Sequence, residues 1–254
     1  MTNTDTKDVG ATLRQIACLR AAGCEAIRLA LYDLECVDSL RQIRKETGDY
    51  PLIADVHYDY RIALGAIRAG IDKVRINPGN IGEGWKVKEI AIAAEERGVP
   101  IRVGANSGSL AKNFEHLPVV EALVASALRE VKLLEDAGMS RIVIAVKSSN
   151  VTEMVEATRR VSSSVSYPLH LGVTEAGPLS ISLVKSTLGI GLLLSEGIGD
   201  TIRYSISGDP VKEVDAANTL LKAAGLLSGP DIISCPTCAR TCIDVEEYAL
   251  KVTE

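Results

Sequence analysis

Residues 55–82, reading DVHYDYRIALGAIRAGIDKVRINPGNIG, restrict the fold more than any other part of the chain. They continue an apolar β run at 51–56, pass through a helical pattern with Ile62, Ile67 and Ile71 on one side, and re-enter a strand at 73–76. A strand, a helix and a second strand in so short a span form the repeating unit of a parallel α/β protein. Polar groups gather where each strand stops, Asp55 and His57 after the first, Arg75 and Asn77 after the second. All-parallel sheets place their working side chains at those carboxyl ends, so the unit predicts an active-site rim along with the fold.

The pattern recurs along the chain. Strand-like runs lie at 25–31, 52–56, 73–76, 101–105, 141–146, 169–173 and 201–206, with helical patterns between them. In the clearest, 118–137, Val120, Leu123, Val124, Ala127, Val131 and Leu134 share a face, Pro118 stands at the first turn and Gly138 past the end. A polar opening, MTNTDT, leads into a helix over about 7–22, and the last helix of the series covers about 211–224. Seven strands, each followed by a helix, stand against the eight that close a barrel. The expected architecture is therefore a TIM-type (β/α)8 barrel lacking its first strand, with two unpaired strand edges beside the gap. An open doubly wound sheet would need a topological switch point that nothing marks.

A chain of 254 residues, 46% of them apolar, has the size and core of one such barrel. The barrel is placed at 1–228. Residues 229–254 open with Gly229 and Pro230, run through a short β stretch into three cysteines, and end in a helical piece that stops at Glu254. So short a segment builds no apolar core without a metal or a partner, and it is read as the incomplete start of a second domain. The formal charge of −5, with no basic run, argues against a general nucleic-acid binder. With no secretory signal and no apolar run long enough to span a bilayer, the expectation is a cytoplasmic protein without a membrane partner.

Cationic side chains recur at interior strand positions: Arg28, Arg75, Arg102, Lys147 and Arg203. One strand arginine is ordinarily a rim ion pair, but five strands carrying a cation in similar positions call for a shared anion. Arginine forks suit phosphate oxygens, so the expected ligand is a multiply charged phosphate or diphosphate. Asn77, Asn106, Ser107, Ser205 and Ser207 could add neutral donors. The glycine loops at 77–82 and 104–109 let backbone amides approach phosphate, yet neither has Walker or dinucleotide spacing, and no nucleotide is assigned. Asp55, His57 and Glu175 are the acid/base candidates, and His170 also flanks a strand end where the cations converge. A carboxylate among cations stays ionised unless desolvation wins, so Glu175 can act as an acid only if well buried.

Cys18, Cys24 and Cys36, scattered through the first helices, read as buried thiols acting as small hydrophobes. Cys235, Cys238 and Cys242 cluster instead. The C-P-T-C spacing is that of a metal knuckle, half of a zinc site or two corners of an iron–sulfur cluster, and spacing does not choose between them.

Five blocks in order, ADVHYDYRIALGAIRAGIDKVRINPGNIG, PIRVGANSGSL, YPLHLGVTEAG, EGIGDTIRYSIS and ISCPTCARTCID, closely resemble the 4-hydroxy-3-methylbut-2-enyl diphosphate synthase family of the methylerythritol phosphate route to isoprenoids. The likeness runs from MTNTDT to the thiols. It implies a barrel that binds 2-C-methyl-D-erythritol 2,4-cyclodiphosphate and a following domain with a 4Fe-4S cluster, fed with two electrons by ferredoxin or flavodoxin. It also implies a homodimer in which the cluster domain of one subunit caps the barrel of the other. By motif match Arg28, Arg75, Asn77, Arg102, Asn106, Lys147, Arg203 and Ser205, with His170 beside them, would hold substrate. Asp55, His57 and Glu175 would line the reacting carbons, Glu175 handling a proton, and Cys235 and Cys238 would be two cluster ligands.

The chain departs from the family pattern in four places. The family's barrel begins with a strand before the MTNTDT equivalent, and its cluster domain continues to a third ligand Cys and a ligand Glu. Cys242 does not correspond to that third ligand, Ala239 stands where a Gly usually follows the knuckle, and Asn150 where an Asp is usual. The expectation is thus a piece of such a synthase, inactive alone for want of cluster ligands. Rival readings are a barrel that captures the cyclodiphosphate without turnover, another phosphate-handling barrel such as a pterin-binding methyltransferase, and a zinc-knuckle protein.

Overall fold

A computed structural model of the chain describes residues 1–110, 114, 116–230 and 232–253. Among them seven short strands, β1 (Ile27–Ala30), β2 (Leu52–Asp55), β3 (Lys73–Arg75), β4 (Ile101–Val103), β5 (Ile142–Ile144), β6 (His170–Leu171) and β7 (Thr201–Ile202), run parallel in sequential order. The first five form one sheet and the last two another, joined by a bridge between Ile144 and Leu169. Helices α1 (Val9–Ala21), α2 (Glu35–Thr47), α3 (Tyr60–Arg68), α4 (Pro78–Ile81), α5 (Gly84–Glu96), α6 (Val119–Asp136), α7 (Val151–Ser164), α8 (Leu179–Ser195) and α9 (Val211–Ala223) alternate with them, and α10 (Val245–Thr253) follows. The helix expected to stop at Glu254 reaches Thr253; Glu254 lies outside the described residues.

Alternation along each strand divides its side chains between two environments. Ile27 and Leu29, Leu52 and Ala54, Val74 and Ile76, Ile101 and Val103, and Ile142 and Ile144 are buried in the apolar layer beneath the helices. The alternate set, Arg28, Asp55, Arg75, Arg102, Lys147 and Arg203, therefore faces the barrel interior, and all six line one cavity there. The helices are held by familiar local devices. Asp59 caps α3 through a bond from Arg61 N, and Asn150 caps α7 by accepting from Thr152 N and Glu153 N.

Three expectations are corrected. The edge of β1 is not bare: Thr2 N donates to Arg28 O at 3.0 Å and Thr6 Oγ1 to Ala30 O at 2.7 Å, so the opening residues run beside it. Among the described residues no sheet pairing joins β7 to β1. The β stretch before the thiols does not form, because it finds no strand to pair with among the described residues; Ile233 there is 91% exposed. Of the early cysteines only Cys36 is buried; Cys18 is exposed and Cys24 half-buried. Cys18 follows the buried Ile16 by two positions on α1, which turns it to the opposite face. Among the described residues no helix is long and apolar enough to cross a membrane.

Candidate active site

Strand register assembles the site. Asp55 pairs in register with Arg75, and Arg75 with Arg102, so three interior charges from β2, β3 and β4 lie side by side. They form one wall of a cavity of about 200 Å³ at the carboxyl ends of the strands. Arg28 from β1, Lys147 from the loop after β5 and Arg203 after β7 supply the rest of its charge. A larger groove of about 450 Å³ between α2 and α3 lies on the outer helical layer, away from those strand ends.

Among the described residues Asp55 is the only carboxylate of the lining, and it is 4% exposed. Arg28 Nε lies 3.5 Å from its Oδ2, and Arg75 Nη1 3.1 Å from its Oδ1. Burial opposes its ionisation most strongly, but His57, Arg28 and Arg75 together outweigh burial and hold the carboxyl well below the usual range. Asp55 is thus a permanent anion that orders cations, not a proton donor at neutral pH. Arg75 Nη1 also reaches His57 Nε2 at 2.9 Å. The same Nε2 stands 3.6 Å from Asp55 Oδ1, so carboxylate, imidazole and guanidinium meet at one point.

Other cations have no such partner. Among the described residues, the side chains of Arg102 and Lys147 make no hydrogen bond or ion pair, and Arg102 is only 5% exposed. Burial first, then the charges of Arg28 and Arg75, pull Arg102 down to about 9, so it remains charged at neutral pH. Burial and four neighbouring guanidiniums push Lys147 well below the lysine range. Arg203 is tied on one side only: Nη2 donates to Glu213 Oε1 at 3.3 Å, while its buried Nε has no partner among the described residues. A desolvated cluster with this excess of positive charge is costly until an anion enters.

Glycine makes room for that cluster. A Cβ on Gly172, just past β6, would stand 3.2 Å from Lys147 Nζ and 2.6 Å from Arg203 O, so the lysine head lies where a side chain is missing. Asn106 lines the cavity, and its Oδ1 accepts from Gly108 N at 3.1 Å, fixing the turn that carries it.

Of the residues singled out from the sequence, Arg28, Asp55, His57, Arg75, Arg102, Asn106, Lys147 and Arg203 come together in the cavity. Six do not line it, Ser107 and Ser207 among them. Asn77 caps α4, accepting from Gly79 N at 3.0 Å. Ser205 is half-buried, and its carbonyl accepts from Ser182 Oγ at 2.9 Å. His170 lies in the interior, 8% exposed, with Nδ1 2.8 Å from Thr201 Oγ1 and Nε2 unpartnered among the described residues. Burial, followed by Arg102 and Lys147, holds it well below the histidine range, hence neutral. Glu175 is exposed, which removes the burial its acid role required. It is nonetheless the one described non-glycine residue with positive φ, 50°, and its carboxylate faces the Gly108 turn. Backbone strain of that kind concentrates at functional rims.

Two contributors escaped the sequence reading. Thr174 lines the cavity beside Glu175. Glu213 on α9, 8% exposed, accepts from both Arg203 and Ile206 N, the latter at 3.1 Å. Its signal was available: with Ala216 and Leu220 it occupies the buried stripe of α9, where an acid is out of place.

The thiols contrast with this assembly. Cys235, Cys238 and Cys242 are exposed, and among the described residues no three His, Cys, Asp or Glu side chains gather as a metal group. Backbone and side-chain donation around Arg240 and Thr241 lowers the Cys238 thiol somewhat. Two thiols of a CxxC are half of what a 4Fe-4S cluster needs, so these residues alone do not fit a complete cluster.

The barrel's geometry has relatives. Dihydropteroate synthase from Thermus thermophilus superimposes with a TM-score of 0.60 at 17% identity, covering 86% of this chain and 89% of that one. A 3-hexulose-6-phosphate synthase gives 0.52 at 12% identity over 85% and 94%. At such identities these share the fold alone. In sequence, the 4-hydroxy-3-methylbut-2-en-1-yl diphosphate synthase (flavodoxin) of Clostridium acetobutylicum is 52% identical over 99% of this chain and 73% of its own length. The protein of the same name from Symbiobacterium thermophilum is 51% identical over 99% and 69%. Residues 1–218 match the model of the GcpE TIM-barrel domain. With a cationic barrel mouth in place and these matches over nearly its whole length, the chain belongs to the GcpE family of 4-hydroxy-3-methylbut-2-en-1-yl diphosphate synthases.

Proposed function

We infer that the chain is an isoprenoid-pathway oxidoreductase whose barrel binds 2-C-methyl-D-erythritol 2,4-cyclodiphosphate for reductive ring opening and dehydration to 4-hydroxy-3-methylbut-2-enyl diphosphate. The reaction takes up two electrons and two protons and releases one water. The observation that carries the reading is the set of five interior cations around one small cavity with a single described carboxylate among them. A cyclic diphosphate brings two negative charges and no bulky base, which suits a cavity of about 200 Å³. Arg102 and Lys147, without partners of their own among the described residues, take the phosphate oxygens first. Arg28 and Arg75 stay aligned by Asp55, and Arg203 by Glu213. Glu175, strained and exposed at the rim, is proposed to relay protons between solvent and the cavity, in place of the buried acid role its exposure removes.

The relatives' names specify flavodoxin, which supports a flavodoxin rather than a ferredoxin donor. An iron–sulfur cluster would carry the electrons one at a time to the substrate. Cys235 and Cys238 are proposed as two of its ligands, the remaining ligands lying outside the group these residues form. For the homodimer, α8 offers a surface in its exposed Ile181, Val184, Leu188 and Leu192.

Calorimetry with the cyclodiphosphate tests the barrel. Binding that Arg102→Met weakens about 100-fold supports the reading, and no binding by the folded chain overturns it. Product formation with reduced flavodoxin separates an enzyme from a barrel that only captures the ligand. Iron and sulfide analysis after anaerobic reconstitution tests the thiols, and stoichiometric zinc without iron would remove the redox role.

A further inference from the structure

Glu130 lies on α6, is 8% exposed, and has no part in the chemistry above. Its Oε2 accepts from Gly104 N at 2.7 Å. The path of the chain explains why that amide needs a side chain. Ala145 N donates to Val103 O, and Lys147 N to Ala105 O, both at 2.9 Å. Between them the backbone at Gly104 turns to a φ of 143° and comes so close to the next strand that a Cβ would lie 1.8 Å from Ala145 O. The Gly104 amide is thereby turned out of the ladder, and a buried amide does not go unpaired. Glu130 supplies the acceptor. Val103, Gly104, Ala105 and Asn106 all line the cavity, so this bond stands directly behind its wall.

We propose that Glu130 is a positioning residue for the substrate cavity, holding the Gly104 amide from α6 and thereby setting the course of residues 103–106 and the place of Asn106. The proposal rests on the cyclodiphosphate reading of that cavity. Charge adds to geometry. Burial raises the Glu130 carboxyl to about 7 against the opposing effects of the Gly104 amide, Arg75 and Arg129. Those two guanidiniums, one from β3 and one from its own helix, are the charges that act on it; α4, α5, α7, β4 and β5, which also pack on α6, add none among the described residues. A doubly anionic ligand on the other side of the Gly104 wall repels a charged Glu130. Binding therefore draws a proton onto Glu130, and affinity rises as pH falls through about 7. The ligand's own diester-type protons are far too acidic to titrate there.

The test is calorimetric titration of the purified chain with the cyclodiphosphate, for wild type, Glu130→Met and Glu130→Gln. The methionine variant should bind about 10-fold more weakly, and the glutamine variant, which keeps an acceptor for Gly104, should stay within about threefold. Between pH 8 and pH 6 the wild-type Kd should fall about fivefold more than that of Glu130→Gln. Circular dichroism and thermal melting report folding; should Glu130→Met not fold, the pH comparison of wild type with Glu130→Gln decides. A folded methionine variant that binds like wild type, or superimposable pH profiles, overturns the proposal. No binding by folded wild type instead overturns the substrate reading on which it rests.

Discussion

Asp55 is 4% exposed and orders two arginines and a histidine from three neighbouring segments of the barrel, whereas Cys235, Cys238 and Cys242 are exposed and form no three-donor group among the described residues. Both regions carry motifs equally plain in the sequence. The difference is what surrounds them. In the barrel, parallel pairing sets Asp55 against Arg75 and Arg75 against Arg102 before any ligand arrives. Around the thiols the described residues form no sheet and no core, so a CxxC has only its local turn, and a metal must supply the energy that brings further ligands together.

The largest expected effect probes the ordering anion. Asp55→Asn removes the charge that offsets Arg28 and Arg75 in the interior, and urea unfolding should show a loss of about 3–5 kcal/mol. A loss below about 1 kcal/mol would mean the mouth is not organised around Asp55. The same residue sets an acid limit. Its folded pKa lies below its unfolded value near 4, so its contribution is complete above that value and lost as pH falls through the folded one. The Asn variant should lack this component of the acid transition in a stability-against-pH series.

Arg102→Met comes next and should act with opposite signs on two measurements. Cyclodiphosphate affinity should drop about 100-fold, because a desolvated cation facing the anion is gone. Thermal stability of the ligand-free chain should hold or rise, since the same cation is buried without a described partner. A parallel fall in both would make Arg102 a structural residue. Glu213→Ala should lower stability by about 1–3 kcal/mol, since the Ile206 amide and Arg203 lose their acceptor.

The smallest effect belongs to the tail. Cys18, Cys235, Cys238 and Cys242 should react with a thiol reagent in native buffer and Cys36 only after unfolding, as their exposure dictates. Alkylating the exposed set should change stability by less than about 0.5 kcal/mol and leave cyclodiphosphate affinity as it was. Protection of Cys235 and Cys238 in the metal-free chain would erase the contrast between the two regions.

Much of the barrel was legible because its signals are local. Alternating apolar residues marked the strands, and each interior cation occupied the position its strand's alternation assigns. The departures share another cause. Asn77 and Ser205 were assigned to substrate by motif, yet one caps α4 and the other offers its carbonyl to Ser182, choices made by turn geometry and by a neighbouring helix. His170 stands at a strand end in the sequence, but the short β6 carries it into the interior against Thr201. Glu130 and Glu213 sat unremarked on helices, since their partners, Gly104 and Arg203, are 26 and 10 positions away.

By itself the sequence determined the parallel α/β order, the interior placement of five cations and the family, because strand period, chain order and side-chain type are carried by consecutive residues. Tertiary structure alone decided which cations are neutralised by carboxylates and which stand without a described partner, and that a helix carboxylate braces the wall of the cavity. Those outcomes depend on strand register, on close backbone approach at Gly104 and Gly172, and on desolvation, which exist only after distant segments have packed.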